Sequence, residues 1–161
     1  MNGSEDAPAW RQAVPDEADT QRFAGLFAQA LRAPCAIYLR GELGAGKTTF
    51  VRACLHALGY PDRVKSPSYG LLEIYAAGGL KLLHLDLYRI EDPEELEYLA
   101  LRDLYGSNAV LMVEWPDRGG ALLPLPDLVL DFVESAQGRS ITCYPQTATG
   151  CELAAAVLRS L

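Results

Sequence analysis

Residues 41–48 read Gly-Glu-Leu-Gly-Ala-Gly-Lys-Thr, and this stretch constrains the fold more than any other part of the chain. It fits the phosphate-loop pattern G-x-x-x-x-G-K-[ST] at every fixed position. Glycines let the backbone approach an anion closely, and the helix that follows such a loop directs its positive end at the same anion. Strand-like residues 36–39 precede the loop and helix-like residues 49–58 follow it. This setting argues against a glycine-rich turn that matches by chance.

The loop predicts a nucleoside triphosphate bound together with Mg²⁺. Backbone N–H groups wrap the phosphates in loops of this kind, and the Lys47 ammonium is expected to reach the β- and γ-phosphates. The Thr48 hydroxyl is expected to hold the Mg²⁺ ion. We therefore assign nucleotide binding to six consecutive residues at the loop and the start of the helix: Gly44, Ala45, Gly46, Lys47, Thr48 and Thr49.

Length and composition predict one domain with a substantial core. The chain has 161 residues, of which 50% are hydrophobic, and that is enough for a single hydrophobic core. Residues 1–15 are polar and carry prolines, so we expect a loose N-terminal segment before a single domain over residues 16–161. The acidic start lacks an apolar signal segment, and no apolar run approaches the roughly 18 residues of a membrane span. These features predict a cytoplasmic protein without membrane contact.

The charge balance limits the partners that the chain can bind. A formal net charge of −7 and an isoelectric point of about 4.8 argue against a general nucleic-acid binder, which would carry a basic face. RNA work done through a partner stays open, because an acidic surface suits a partner with a basic face. The cysteines form no C-x-x-C pair and predict buried or idle thiols rather than a zinc site or a disulfide framework: Cys35, Cys54, Cys143 and Cys151.

Hydrophobic periodicity predicts alternating helices and strands. Helices are predicted over residues 16–31, 49–58, 92–104 and 151–161, and strands over residues 35–40, 69–75, 80–87, 109–113, 127–134 and 139–144. Glycine-containing turns join the second strand to the third and the fifth to the sixth, as in hairpins. The pattern predicts an α/β fold: a three-layer P-loop NTPase domain whose mixed sheet has a parallel core and antiparallel strands at the edge.

A phosphate loop needs a second acidic side chain for its metal, usually at the end of a hydrophobic strand. Asp86 and Glu114 both follow apolar runs, and either could face the crevice in which open α/β sheets bind ligands. A solvated acid at a strand end is the alternative for each. His84 precedes Asp86 by two residues and so points to the same side of the strand. It could act as a general base, although a histidine satisfied by hydrogen bonds fits better.

Four blocks together resemble the TsaE family of small bacterial ATPases. They are residues 41–50 (GELGAGKTTF), 64–69 (VKSPSY), 84–89 (HLDLYR) and 113–116 (VEWP), and their order and spacing also agree. The first block occurs in many families, but the third and fourth beside it are specific. The resemblance covers roughly residues 20–139. One departure is Ser68, where the family usually has threonine, and the hydroxyl is retained.

The resemblance implies an ATP-binding, slowly hydrolysing subunit required for the N6-threonylcarbamoyladenosine modification of tRNA. It implies a partner of the TsaD–TsaB transferase type, through which tRNA is reached indirectly. By similarity, Lys47 is the phosphate lysine, Thr48 and Glu114 hold Mg²⁺, and Asp86 belongs to the catalytic centre. The same similarity places Trp115 beside the nucleotide, and places Thr20 and Arg139 near it.

Three other functions are alternatives to this one. A small-molecule kinase would need an acceptor pocket and an arginine-bearing lid, for which Arg102 and Arg118 give only a weak signal. A GTPase would be expected to carry Asn-Lys-x-Asp, and that tetrapeptide does not occur. A non-catalytic module gated by nucleotide stays open beside the kinase.

Overall fold

The structure is a computed structural model that describes residues 7–67 and 71–161. Its strands are β1 (Trp10–Ala13), β2 (Cys35–Arg40), β3 (Leu72–Ala77), β4 (Leu80–Asp86), β5 (Ala109–Glu114), β6 (Leu128–Ser135) and β7 (Gly138–Pro145). Its α-helices are α1 (Glu17–Ala30), α2 (Lys47–Ala57), α3 (Leu101–Tyr105) and α4 (Ala148–Ser160). Short 3-10 helices span Pro93–Leu99, Pro116–Arg118 and Gly120–Leu122.

Within the described residues the strands form one sheet in the order β1-β7-β6-β2-β5-β4-β3. Strands β4, β5, β2 and β6 run parallel, while β3 pairs antiparallel with β4 and β7 pairs antiparallel with both β6 and β1. The α/β fold with a parallel core and antiparallel edges is therefore confirmed. Every residue of β5 is buried, as expected of a central strand covered on both faces.

The two faces of the sheet carry separate hydrophobic clusters. Helices α1 and α2 cover one face, where Phe27 and Phe50 pack against strand residues such as Met112. On the other face, Leu83 and Leu111 pack against residues of the 3-10 segment and α3. Because side chains alternate along a strand, residues that lie two positions apart point to the same face of the sheet. The neighbours two positions before and after a residue of the first cluster therefore also point toward α2. This alternation brings the last residues of β4 and β5 to the phosphate loop.

The predicted loose segment 1–15 is wrong for residues 10–13. These residues form the edge strand β1, which pairs with β7 from Trp10↔Cys143 to Ala13↔Ser140. Trp10 is buried, and its indole N–H donates a hydrogen bond to the carbonyl of Ala154 at 3.0 Å. Residues such as Arg11 point outward, so the strand looks polar in sequence although its partner strand fixes it. Residues 1–6 lie outside the described residues.

The predicted helix after Asp92 is wrong in its type and length. The Asp92 carboxylate does accept a hydrogen bond from the N–H of Glu94 at 3.0 Å, so the predicted start is correct. A 3-10 helix then runs to Leu99, and Ala100 adopts a left-handed conformation with φ 49° before the five-residue α3 begins. The continuous apolar stripe that predicted one α-helix is therefore split over two short elements.

Smaller differences concern the strand ends and the cysteines. Strand β3 begins at Leu72, and residues 68–70, which include Ser68 of the second motif block and the predicted strand start, lie outside the described residues. Cys35, Cys54 and Cys143 are buried and Cys151 is exposed.

Over the ranges that the structure describes, no helix is long and apolar enough to cross a membrane.

Candidate active site

A cavity of about 490 Å³ opens at the carboxyl ends of β4 and β5, next to the phosphate loop. It brings together nearly all of the side chains and loop positions that the sequence predicted for the site: Thr20, Gly44, Gly46, Lys47, Thr48, Thr49, Asp86, Glu114, Trp115 and Arg139. Ala45 is the exception. It is 7% exposed, lines a second cavity beside Arg40 and Asp131, and its N–H donates to the carbonyl of Glu42 at 3.1 Å.

The loop keeps its shape because glycine occupies three positions with positive φ. Gly41 has φ 146°, and a Cβ there would lie 2.6 Å from the carbonyl oxygen of Phe132. Gly46 has φ 105° and directly precedes α2, so the chain turns from the loop into the helix at this residue. The helix therefore begins with its free N–H groups at the cavity, where an anion is favoured.

Lys47 is folded back over the loop. Its ammonium donates a hydrogen bond to the carbonyl of Gly41 and lies 3.9 Å from the centre of the Trp115 ring. Burial lowers the pKa of Lys47, and the nearby carboxylates of Glu114, Asp86 and Glu42 oppose that shift. Lys47 is therefore a desolvated cation that faces acidic groups on both strand ends.

Glu114 is held by two side chains although it is almost completely buried, with 2% exposure. The Thr48 hydroxyl lies 3.0 Å from each of its carboxylate oxygens. The Nε2 atom of His84 lies 2.6 Å from Oε2. Hydrogen bonds of this kind offset the desolvation cost of a buried carboxylate. The phosphate-loop threonine and the acid at the end of β5 are thus directly joined.

Asp86 lies beside Glu114, because the two residues are register partners across β4 and β5. It is half-buried, and one of its oxygens accepts a hydrogen bond from the N–H of Tyr88 at 3.0 Å. Burial raises the pKa of Asp86, and the negative charge of Glu114 raises it further. The Tyr88 hydrogen bond, the neighbouring His84 ring and the Lys47 ammonium oppose the shift. Asp86 therefore presents to the cavity a carboxyl group that a backbone N–H holds, whereas two side chains hold Glu114.

An aromatic group forms one wall of the cavity. Trp115 has a left-handed backbone with φ 57°, and its ring lies 5.1 Å from that of Tyr88. The guanidinium of Arg118 lies 5.2 Å from the Tyr88 ring centre and 5.6 Å from the Trp115 ring centre, and it donates a hydrogen bond to the carbonyl of Tyr88. Lys47 and Arg118 therefore both contact the Trp115 ring.

Thr20 and Arg139 also line the cavity, and only the family resemblance had placed them near the nucleotide. Thr20 is buried, and its hydroxyl donates to the carbonyl of Asp16 at 3.3 Å. The Nε atom of Arg139 lies 3.7 Å from the Glu134 carboxylate. Three further lining residues were not predicted from the sequence: Glu17, Leu43 and Tyr88. Two signals were available, because Leu43 lies inside the loop motif and Tyr88 lies inside the third motif block. Ser66 and Arg89 also line the cavity.

The two side-chain oxygen donors at the loop suit a hard divalent cation. Thr48 supplies a hydroxyl and Glu114 a carboxylate, and Mg²⁺ in nucleotide sites is bound by one or two such groups together with phosphates and water. No group of three or more His, Cys, Asp or Glu side chains in residues 7–67 and 71–161 is placed to hold a metal ion. The donor set therefore fits Mg²⁺ bound with a nucleotide.

Comparison with known proteins adds an independent observation. The family described as "Threonylcarbamoyl adenosine biosynthesis protein TsaE" matches residues 14–141, which is more than half of the chain. The tRNA threonylcarbamoyladenosine biosynthesis protein TsaE of Haemophilus influenzae is 38% identical over 144 residues, covering 86% of this chain and 91% of that protein. The protein of the same name from Aquifex aeolicus is 41% identical over 107 residues, covering 65% of this chain and 75% of its own length.

A solved structure supports the fold as well. The crystal structure of YdiB from Bacillus subtilis is similar with a TM-score of 0.78 and 27% sequence identity. The similarity covers 94% of this chain and 93% of that chain. The overall fold is therefore shared with an experimentally determined protein.

Proposed function

The chain belongs to the TsaE family of threonylcarbamoyl adenosine biosynthesis proteins, and on this premise we propose that it binds and slowly hydrolyses ATP in the N6-threonylcarbamoyladenosine modification of tRNA. The observation that carries the proposal is the contact between Thr48 and Glu114. It joins the end of the phosphate loop to the carboxyl end of β5, with the Thr48 hydroxyl 3.0 Å from both carboxylate oxygens. A phosphate loop paired with a strand-end acid is the arrangement that nucleotide hydrolysis by such domains requires.

Thr48 and Glu114 would hold Mg²⁺. The ion would neutralise charge on the triphosphate, which is the contribution that metal ions make to phosphoryl transfer. Both residues lie at the cavity beside the positive end of α2. Because Glu114 is buried and hydrogen-bonded, its carboxylate is already positioned before the ion arrives.

Lys47 would bind the β- and γ-phosphates. To do so its ammonium must leave the Gly41 carbonyl and the Trp115 ring. The N–H groups from Gly44 to Thr49 would bind the phosphates from the loop side, as part of the same cradle. Thr20, Trp115 and Arg139 also line the cavity, and they would contact the nucleotide.

Asp86 would act on the reacting groups. It faces the cavity, accepts a hydrogen bond from the N–H of Tyr88, and has a raised pKa. A carboxyl group with such a pKa is suited to orienting a water molecule and accepting its proton. Asp86 is thus proposed as a catalytic residue, and Glu114 as the metal ligand that also supports hydrolysis.

The cellular location and the partners are proposed from the family. The curated relatives are tRNA threonylcarbamoyladenosine biosynthesis proteins, and we propose that this chain works in the cytoplasm with a TsaD–TsaB type transferase complex. The net charge of −7 favours a basic protein partner over extensive direct contact with RNA. The tRNA would therefore be reached through the complex.

The proposal is tested by reconstitution. The other threonylcarbamoyl enzymes, tRNA and ATP are combined with the wild-type chain, with Asp86→Asn, or with neither, and the modified nucleoside is counted per transferase by mass spectrometry. We expect repeated turnover with the wild type only. Repeated turnover without this chain would contradict the role in modification. Full activity of Asp86→Asn would instead favour the nucleotide-gated binding module over an ATPase.

A further inference from the structure

His84 is a buried histidine that does not line the active-site cavity. It lies in β4 two residues before Asp86, and its exposure is 0%. Its register partner is Met112 of β5, which belongs to the hydrophobic cluster beneath α2. The ring therefore sits in the apolar layer below the cavity floor, where it cannot contact bound water as a general base would.

The ring has two nitrogen atoms, and the structure uses only one of them. Nε2 lies 2.6 Å from Oε2 of Glu114. Nδ1 is buried and has no hydrogen-bond partner among the described residues. Buried polar atoms normally have hydrogen-bond partners, so the unpaired Nδ1 atom destabilises the folded state. The ring is hydrogen-bonded to Glu114 through Nε2, and that contact is what the histidine contributes to the site.

The hydrogen bond has a direction that matters for the metal. A carboxylate oxygen only accepts, so Nε2 carries the proton and donates it to Oε2. The Thr48 hydroxyl lies 3.0 Å from Oε1 and also 3.0 Å from Oε2, so Oε1 is the oxygen that the histidine does not contact. Side chains that hold a ligand's second atom fix its orientation and are often nearly as important for metal affinity as the ligand itself.

We propose that His84 is the positioning residue of the metal site: it holds Glu114 through Oε2, so that Oε1 and the Thr48 hydroxyl are presented together to Mg²⁺. This inference rests on the proposed function, because it assigns a role toward the same ion. It goes beyond that function in naming which carboxylate oxygen is free to bind the ion, and in giving β4 a part in the site through His84 as well as through Asp86.

The test uses the reach of amide side chains. The amide nitrogen of glutamine extends about as far as Nε2 of histidine, whereas that of asparagine extends only about as far as Nδ1. His84→Gln can therefore keep the donor to Glu114, His84→Asn cannot, and His84→Leu removes every polar atom. His56 is the other histidine of the chain and lies exposed at the end of α2, so His56→Gln is the matched control.

The measurement is calorimetric binding of a nonhydrolysable ATP analogue to the full chain, with Mg²⁺ titrated from zero to saturation. We expect His84→Asn and His84→Leu to weaken the apparent Mg²⁺ affinity by about 10- to 100-fold, with unchanged affinity for the analogue in the absence of Mg²⁺. We expect His84→Gln and His56→Gln to stay within about threefold of the wild type. Thermal denaturation of each variant checks that it is folded.

Three results would overturn the inference. The first is an unchanged Mg²⁺ affinity in His84→Leu. The second is equal behaviour of the Gln and Asn variants. The third is an equal loss of affinity with and without Mg²⁺, which would mark His84 as a purely structural residue. A wild-type chain that binds the analogue without any gain from Mg²⁺ would overturn the proposed function itself, and that result is distinct from the other three.

Discussion

The ends of β4 and β5 carry the two acids of the site, and they differ although they are register partners. Glu114 ends β5, is 2% exposed, and is joined to Thr48 and His84. Asp86 ends β4, is half-buried, and accepts a hydrogen bond from the Tyr88 backbone. Glu114 is held by side chains on two other elements, while Asp86 accepts its hydrogen bond from a backbone N–H only two residues later in the sequence.

The difference agrees with the two roles that we propose for these acids. A metal ligand must be ionised and fixed, and donors from outside its strand provide both conditions. A group that acts on water benefits from a pKa nearer to neutrality, and burial beside the charge of Glu114 provides that for Asp86. The sequence alone left the metal role open between the two acids, and the contacts favour Glu114.

The largest effect is expected from Lys47→Ala, because Lys47 faces both strand ends. Glu114 and Asp86 both act on its charge, and removing the ammonium removes a charge-assisted contact to two phosphates. We expect ATP affinity to fall about 100-fold, measured by calorimetry. Lys81→Ala is the control, since Lys81 lies at the opposite end of β4. Full ATP affinity in Lys47→Ala would break the assignment of the loop.

A smaller effect on binding and a large effect on turnover are expected from Asp86→Asn. The amide cannot accept a proton from water, so we expect the hydrolysis rate to fall about 100-fold with ATP affinity within a few-fold of the wild type. Asp131→Asn is the matched control, because burial also raises the pKa of Asp131 while that residue lies outside the cavity. Equal loss of hydrolysis in both variants would remove the distinction between Asp86 and an ordinary half-buried acid.

Stability against pH sharpens the same comparison. The folded-state pKa of Asp86 is raised above its ordinary 3.8, so between the two values the folded state binds more protons than the unfolded state. The contribution of Asp86 to the free energy of unfolding therefore falls as pH rises through that window. Asp86→Asn should raise the melting temperature at pH 7, and the gain should vanish below about pH 3.8. A melting temperature lowered at pH 7 would contradict the raised pKa.

The smallest effect is a change in tryptophan fluorescence, and it concerns Trp115 in the wall of the cavity. Lys47 lies 3.9 Å from the Trp115 ring centre and must move when phosphate binds. The chain has two tryptophans, and Trp10 is buried at the far edge of the sheet. In Trp10→Phe, ATP should change the remaining emission by tens of per cent, while in Trp115→Phe the emission should stay flat. A response that survives in Trp115→Phe would place the nucleotide elsewhere.

Local signals in the sequence predicted much of this architecture. The loop over residues 41–48 has its glycines where positive φ is needed, and the apolar run of β5 is long enough to mark a central strand. Both depend on neighbours in the chain, which pattern and composition report well. The acids at the two strand ends were found for the same reason.

Contacts between distant residues were beyond local reasoning. His84 and Glu114 are 30 residues apart and meet only because β4 and β5 pair in one register. The edge strand β1 was missed because half of its residues face outward and its order comes from β7. The contact of Arg118 with the Trp115 ring depends on the left-handed backbone conformation of Trp115, which no motif of the sequence predicted.

The central claim is that Glu114 holds Mg²⁺ and Asp86 does not. The most direct test is the ratio of ATP-analogue affinities with and without Mg²⁺, measured for Glu114→Gln and Asp86→Asn side by side. We expect Glu114→Gln to abolish the gain from Mg²⁺ and Asp86→Asn to keep it within about threefold of the wild type. Loss of the gain in Asp86→Asn, with Glu114→Gln unaffected, would contradict this assignment of the metal ligand.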